Sequence, residues 1–222
     1  MGKIIVIEGT DASGKQTQSE ILYEYFKSEN KKVMKLVFPD YESRSSEPVK
    51  MYLEGLFGDT AQSVDPKAAS VLYAVDRFAS YKTKWEEFSK DEDSILILDR
   101  YVTSNMIHQA AKIDDIEKKE EYLNWIYDFE YNIMGLPKPD YVIFLNMRFD
   151  LAQKLMENRN NKITDSAQKD IHERDKEYMK KCYENACMIA KKYMWQEVQC
   201  FYGDSIKTID EIQKEIRGIV CN

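Results

Sequence analysis

"EGTDASGKQTQ", Glu8 to Gln18, is the stretch on which the reading of this chain turns. Gly9 to Lys15 have the spacing G-x-x-x-x-G-K of a phosphate-binding loop, and Gln16 stands where that pattern ends in serine or threonine. The spacing has a physical reason. Gly9 and Gly14 allow a turn tight enough for backbone N–H groups to converge on phosphate oxygens. The helix that follows adds the partial positive charge of its N-terminus, and Lys15 adds a full one. Gly9, Thr10, Asp11, Ala12, Ser13, Gly14, Lys15, Gln16 and Thr17 are therefore the candidate nucleotide cradle. Such loops serve kinases, GTPases and ATPases alike, so the loop alone names no substrate. No guanine-reading N-K-x-D follows it.

Working outward, "KIIVI" (Lys3–Ile7) reads as a strand and Lys15–Ser28 as a helix. The alternation continues with strands at "KVMKLV" (Lys32–Val37), "ILIL" (Ile95–Leu98), "YVIFL" (Tyr141–Leu145) and "VQCFY" (Val198–Tyr202), and with helices at Lys67–Phe88 and Ile116–Ile133. Strands that are apolar almost throughout, separated by crossover-length helices, predict an α/β fold with a parallel sheet covered on both faces. The length of 222 residues suits one such domain, residues 1–222. One polar stretch, "NRNNKITDSAQKD" (Asn158–Asp170), has neither periodicity and is expected to be a connector or a lid.

The formal net charge is −7, which argues against a nucleic-acid binder, since phosphate contacts along a strand need a dense Lys/Arg face. Small phosphorylated ligands remain open. No apolar run approaches the ~18 residues of a membrane span. The first nine residues lead straight into the glycine loop and carry no cleavage signal. Cys182, Cys187, Cys200 and Cys221 form no C-x-x-C and are read as reduced and structural. A cytoplasmic protein without membrane or nucleic-acid partners is the expectation.

Two further groups carry chemistry. After "ILIL" comes "DRYVTSNMIHQ", Asp99 to Gln109. An aspartate at the C-terminal end of a parallel strand, beside a phosphate loop, is placed to hold the waters of a magnesium ion. Arg100 can fork onto a phosphate, and Ser104 and Asn105 offer hydrogen-bonding groups at a helix start. In "YAVDRFASY" (Tyr73–Tyr81), Tyr73 and Arg77 lie four apart and share a helix face. An aromatic plane beside a guanidinium suits a planar base with a carbonyl acceptor.

With "FPDY" (Phe38–Tyr41), "LPKPDYVIFL" (Leu136–Leu145) and the polar stretch in the same order, the chain resembles the thymidylate kinases (dTMP kinases) of the P-loop nucleoside-monophosphate kinase class. The likeness runs over nearly the whole chain. It implies a P-loop NTPase-type three-layer fold with a five-stranded parallel sheet and a short lid at about 158–170. It also implies ATP-dependent phosphorylation of dTMP to dTDP, a magnesium ion (Mg2+) and a homodimer. By position, Lys15, Asp99 and Arg100 would be catalytic. Asp11 would hold the sugar 3′-hydroxyl and make a phosphate-side contact, and Phe38 would line the acceptor. Tyr73, where the family usually has phenylalanine, would stack on thymine, and Arg77 would donate to its carbonyl. Arg100 would clamp the acceptor phosphate. Ser104, Asn105 and Gln109 would line the nucleoside, with Asn105 at the base edge.

The family supplies a transition-state arginine from the phosphate loop or from the lid. Ala12 follows Asp11 here, so the lid is expected to supply it, with Arg159 and Lys162 as candidates. Tyr41 replaces the arginine of the family's F-P-x-R, and Arg44 is the nearest substitute. His108 stands where a tyrosine often excludes ribonucleotides. Gln16 has no short hydroxyl for magnesium; its amide oxygen is a candidate ligand, with Asp99 the main protein group through water. Other readings remain: a deoxynucleoside kinase, a monophosphate kinase for another base, or a non-catalytic nucleotide-binding homologue. Deoxynucleoside kinases tend to carry Glu-Arg-Ser in place of Asp99-Arg100-Tyr101 and add a glutamate base. Retention of Lys15, Asp99 and Arg100 speaks against loss of catalysis.

Overall fold

The computed structural model describes residues 1–160, 171 and 175–221, without the side chains of residues 158–160. Its centre follows from the alternation of side chains along a strand. In β1 (Lys3–Glu8), Ile4 and Val6 face one side of the sheet and Ile5 and Ile7 the other, all four fully buried. β3 (Ser94–Asp99) is buried at every residue. β1 pairs in parallel with β3 on one side, Ile7 opposite Asp99, and with β4 (Tyr141–Asn146) on the other. β2 (Lys32–Val37) and β5 (Gln196–Gln199) are the half-exposed edges. The order β2-β3-β1-β4-β5, parallel throughout, is the expected five-stranded sheet.

Helices cover both faces. Ile5, Ile7, Ile97 and Leu145 pack against Leu22 and Phe26 of α1 (Lys15–Ser28). Those from the C-terminus, Ile212 and Ile216, join the same cluster. Ile4, Val6, Leu96 and Leu98 meet the other layer, where Trp85, Met106, Leu123 and Ile126 are buried. In chain order the remaining helices are α2 (Glu47–Leu53), α3 (Pro66–Ser80), α4 (Glu86–Ser89), α5 (Val102–His108), α6 (Ile116–Tyr127), α7 (Phe149–Asn160), α8 (Lys176–Lys192) and α9 (Ile209–Val220). Among the described residues no helix is long and apolar enough to cross a membrane.

The two long helices read from the sequence are real but not uniform. α3 passes through a π turn, Tyr81–Trp85, into α4, and α6 ends in another, Asp128–Ile133. A π turn makes the backbone hydrogen bond one residue wider than in an α-helix and so re-aims the side chains that follow. The first places Trp85 under the sheet and the second buries Glu130.

Two boundaries differ from expectation. "VQCFY" is not one strand. β5 ends at Gln199, the Cys200 N–H still donates to the Asn146 carbonyl at 2.9 Å, and the chain then reverses. Phe201–Tyr202 (β6) and Ser205–Ile206 (β7) form an antiparallel hairpin turned at Gly203, whose φ of 53° suits glycine. Arg148 holds this turn, lying over the Phe201 ring and donating to the Gly203 carbonyl and to Asp204. Second, Asn158–Asn160 continue α7 and do not begin a loop. The rest of the expected lid, with Lys162, lies outside the described residues, as does the Arg159 side chain. The four cysteines are free, but only Cys182 and Cys200 are buried in the core; Cys221 is exposed.

Candidate active site

β2 and β3 lie to one side of β1, and β4 and β5 to the other. A crevice therefore opens at the carboxyl end of β1, where such sheets bind ligands. β1 runs there into the loop. A Cβ at Gly9 would sit 2.9 Å from the Leu145 carbonyl oxygen and 2.6 Å from Ser13 Oγ, and Gly14 has φ of 92°; neither place tolerates a side chain. Glu8 ties the loop to α5, accepting from the Gly9 N–H at 3.0 Å, Thr103 Oγ1 at 2.7 Å and Ser104 Oγ at 2.8 Å. Lys15 Nζ curls back and donates to the Thr10 carbonyl at 2.7 Å. Burial, and then the nearby Arg100, bring its ammonium down to about 8.

Asp99 ends β3 beside this loop and is buried. Arg100, the next residue, has φ of 68°, a left-handed conformation that is costly outside glycine and found at functional sites. The turn swings its guanidinium over the loop. Nη2 donates to Asp11 Oδ1 at 2.6 Å and Nη1 to His108 Nε2 at 3.0 Å, so the histidine accepts as a neutral ring. Burial alone would raise the Asp11 carboxyl, but Arg100 and then Lys15 hold it well below the usual carboxylate range.

Asp11, Phe38, Tyr73, Arg77, Arg100, Ser104, Asn105 and Gln109 all line one cleft. These are the eight residues expected to hold the acceptor, drawn from four segments of the chain. The cleft also takes in His108 and Tyr41. Arg44 does not enter it: it stands exposed on the turn Arg44–Ser46, so no guanidinium replaces the one absent at Tyr41. Asp76 of α3 anchors the preceding loop, accepting from the Asp40 N–H at 2.8 Å and Ser45 Oγ at 2.6 Å. Gln16 is exposed on the first turn of α1.

The residue that sequence reasoning misses is Glu130. It is fully buried and takes Arg77 in a two-pronged ion pair, Nε to Oε2 and Nη2 to Oε1, both 2.6 Å. Asn105 Nδ2 also donates to it, at 3.0 Å. Its only mark in the sequence is to be one of two acids, with Asp128, in the aromatic run "WIYDFEY", and it reads as an exposed helix position.

The match that decides the family covers residues 7–200, which fit a model of the thymidylate kinases. The chain belongs to the thymidylate kinase family. It is 34% identical over 175 residues to the thymidylate kinase of Mycobacterium tuberculosis, covering 78% of this chain and 79% of that protein. It is 28% identical to the thymidylate kinase of Plasmodium falciparum, over 96% of this chain and 92% of that one. With the thymidylate kinase of Schizosaccharomyces pombe the identity is 26% over the whole of this chain. Among the described residues no group of three or more His, Cys, Asp or Glu is placed to hold a metal ion by itself. The Asp99 carboxylate beside the loop is the kind of hard oxygen donor that would suit a magnesium ion.

Proposed function

We propose that the chain transfers the γ-phosphoryl group of ATP to dTMP, releasing dTDP and ADP. The observation that carries this reading is the joining of the phosphate loop to the acceptor cleft through the Asp11–Arg100 pair. Backbone N–H groups of residues 9–15 cradle the donor phosphates, and Lys15 exchanges the Thr10 carbonyl for their β/γ oxygens. Arg100 exchanges the Asp11 carboxylate for the acceptor phosphate. Asp11, released, takes the sugar 3′-hydroxyl. Phe38 and Tyr73 hold the base plane, Arg77 donates to its carbonyl, and Ser104, Asn105 and Gln109 close the nucleoside side. A phosphate oxygen of dTMP attacks the γ-phosphorus while the bond to ADP breaks. Positioning and charge neutralisation carry such a transfer. When bound, magnesium would neutralise the donor phosphates, held through water by Asp99 with Gln16 at the loop edge. A lid cation, Arg159 or Lys162, completes the proposed set.

A nucleoside acceptor would need a base for its 5′-hydroxyl. Asp11, bound to Arg100 and held well below the usual carboxylate range, is a poor one, which favours a monophosphate over the deoxynucleoside kinase reading. A coupled ADP-release assay over a panel of nucleosides and monophosphates tests the assignment. Turnover is expected with dTMP; turnover with thymidine alone, or ATP binding without turnover, would sink it.

A homodimer is the proposed assembly. Val71, Val75 and Phe78 recur on one face of α3 and are 36%, 44% and 37% exposed, an apolar stripe that an isolated chain leaves in water. Light scattering is expected to give twice the chain mass, and Val75→Asp to shift it toward the monomer. A monomeric mass for the unchanged protein would refute pairing.

A further inference from the structure

We propose that Glu130 is a positioning residue that sets the hydrogen-bond polarity of the base pocket, so that a 4-keto pyrimidine is accepted and a 4-amino pyrimidine rejected. The inference rests on the acceptor reading of the cleft given above. Glu130 reaches two side chains that line this cleft, from different helices: Arg77 of α3 and Asn105 of α5. Asn105 Nδ2 has a second acceptor in the Ser70 carbonyl, at 3.2 Å. A carboxylate and a carbonyl only accept, so the amide nitrogen must face both and its two protons are spent. The Asn105 oxygen is therefore turned away from them as an acceptor. Arg77 gives Nε and one proton of Nη2 to Glu130, which leaves its Nη1 protons as donors.

The pocket thus offers one donor and one acceptor with their order set. A 4-keto pyrimidine shows an O4 acceptor beside an N3–H donor and satisfies both. A cytosine base shows an amino donor beside a bare N3 and opposes both, leaving buried groups unpaired. Glu130 has a second effect. It neutralises Arg77 inside the protein, where both side chains are almost wholly buried, whereas Arg100 and its partner Asp11 remain 23% and 30% exposed. Of the two guanidiniums in the cleft, only Arg100 is left to draw an anion; Arg77 is reserved for the base.

Glu130→Gln keeps the shape but replaces one acceptor by an amide donor, so either Arg77 or Asn105 must turn. Initial rates with dTMP, dUMP and dCMP test the consequence. The dTMP-over-dCMP preference in kcat/KM is expected to fall on the order of tenfold to a hundredfold, mainly through the KM for dTMP. The dTMP-over-dUMP preference, which reads a methyl group, and the KM for ATP should stay unchanged. An unaltered dTMP-over-dCMP ratio in a folded variant overturns the inference. Should that variant not fold, the unchanged protein decides. With 15N-labelled asparagine, NMR should show both Asn105 Nδ2 protons hydrogen-bonded before and after dTMP is added; transfer of one of them to the base would overturn it. Failure of the unchanged protein to bind or turn over dTMP would instead sink the acceptor reading itself.

Discussion

Arg100→Ala is expected to lower kcat/KM for dTMP by roughly 10²–10³-fold, the loss typical of one pre-aimed donor at a reacting centre. ATP binding should change far less. The asymmetry follows from where the guanidinium is held. It does not belong to the loop; it reaches across from the end of β3 through a left-handed residue and rests on Asp11 and His108. Its removal leaves the N–H groups and Lys15 intact for the donor, while the acceptor phosphate loses its fork. Arg100→Lys keeps the charge without the two-pronged geometry and should recover only part of the rate. Equal losses of ATP and dTMP affinity in steady-state and binding measurements would take Arg100 out of the acceptor role.

Lys15→Met is expected to do two opposite things: remove turnover almost entirely and raise Tm. The Lys15 ammonium is buried, and its value stands at about 8 in the folded protein against 10.5 for an ordinary lysine. A lysine whose folded value is depressed binds fewer protons folded than unfolded across that interval. The contribution of Lys15 to stability should therefore rise as pH climbs from about 8 to 10.5, and its charged form costs about 3 kcal/mol below that interval. Methionine carries no such cost and fills a similar volume. Calorimetry across this pH range should show the parent gaining stability relative to the variant as pH rises, since the other titrating groups are common to both. A variant that melts lower would mean that the bond to the Thr10 carbonyl outweighs the burial of charge. A destabilising residue kept at the loop is the usual mark of function set against stability.

The parts legible in the sequence are those whose cause is local. The central strands read correctly because burial on both faces makes them apolar at every position, as in "ILIL" of β3. The loop reads because its glycines answer to backbone geometry and its lysine follows at a fixed distance. Tyr73 and Arg77 could be paired because four residues bring them to one helix face, and both line the cleft. What escaped depends on contacts between distant segments. The partner of Arg77 lies 53 residues away, and nothing near Glu130 announces that its charge is buried. "VQCFY" misled because apolarity is shared by a sheet edge and by a hairpin strand lying under Arg148; Gly203 and Asp204, which turn the chain, are the signal that separates them. The departure of Arg44 from the cleft is of the same kind, since Asp76, 32 positions on, decides where its loop is pinned.

The π turn at Asp128–Ile133 bears on how such a site can change over generations. A wider turn is equivalent to one surplus residue in a helix, and deleting that residue would rotate everything after it by about 100°. Glu130 would then leave Arg77 and Asn105 with no substitution at any of the three positions. If the cleft holds the base as proposed, a three-nucleotide deletion would part Glu130 from both partners at once, whereas point changes at Arg77 or Glu130 each strand a buried charge.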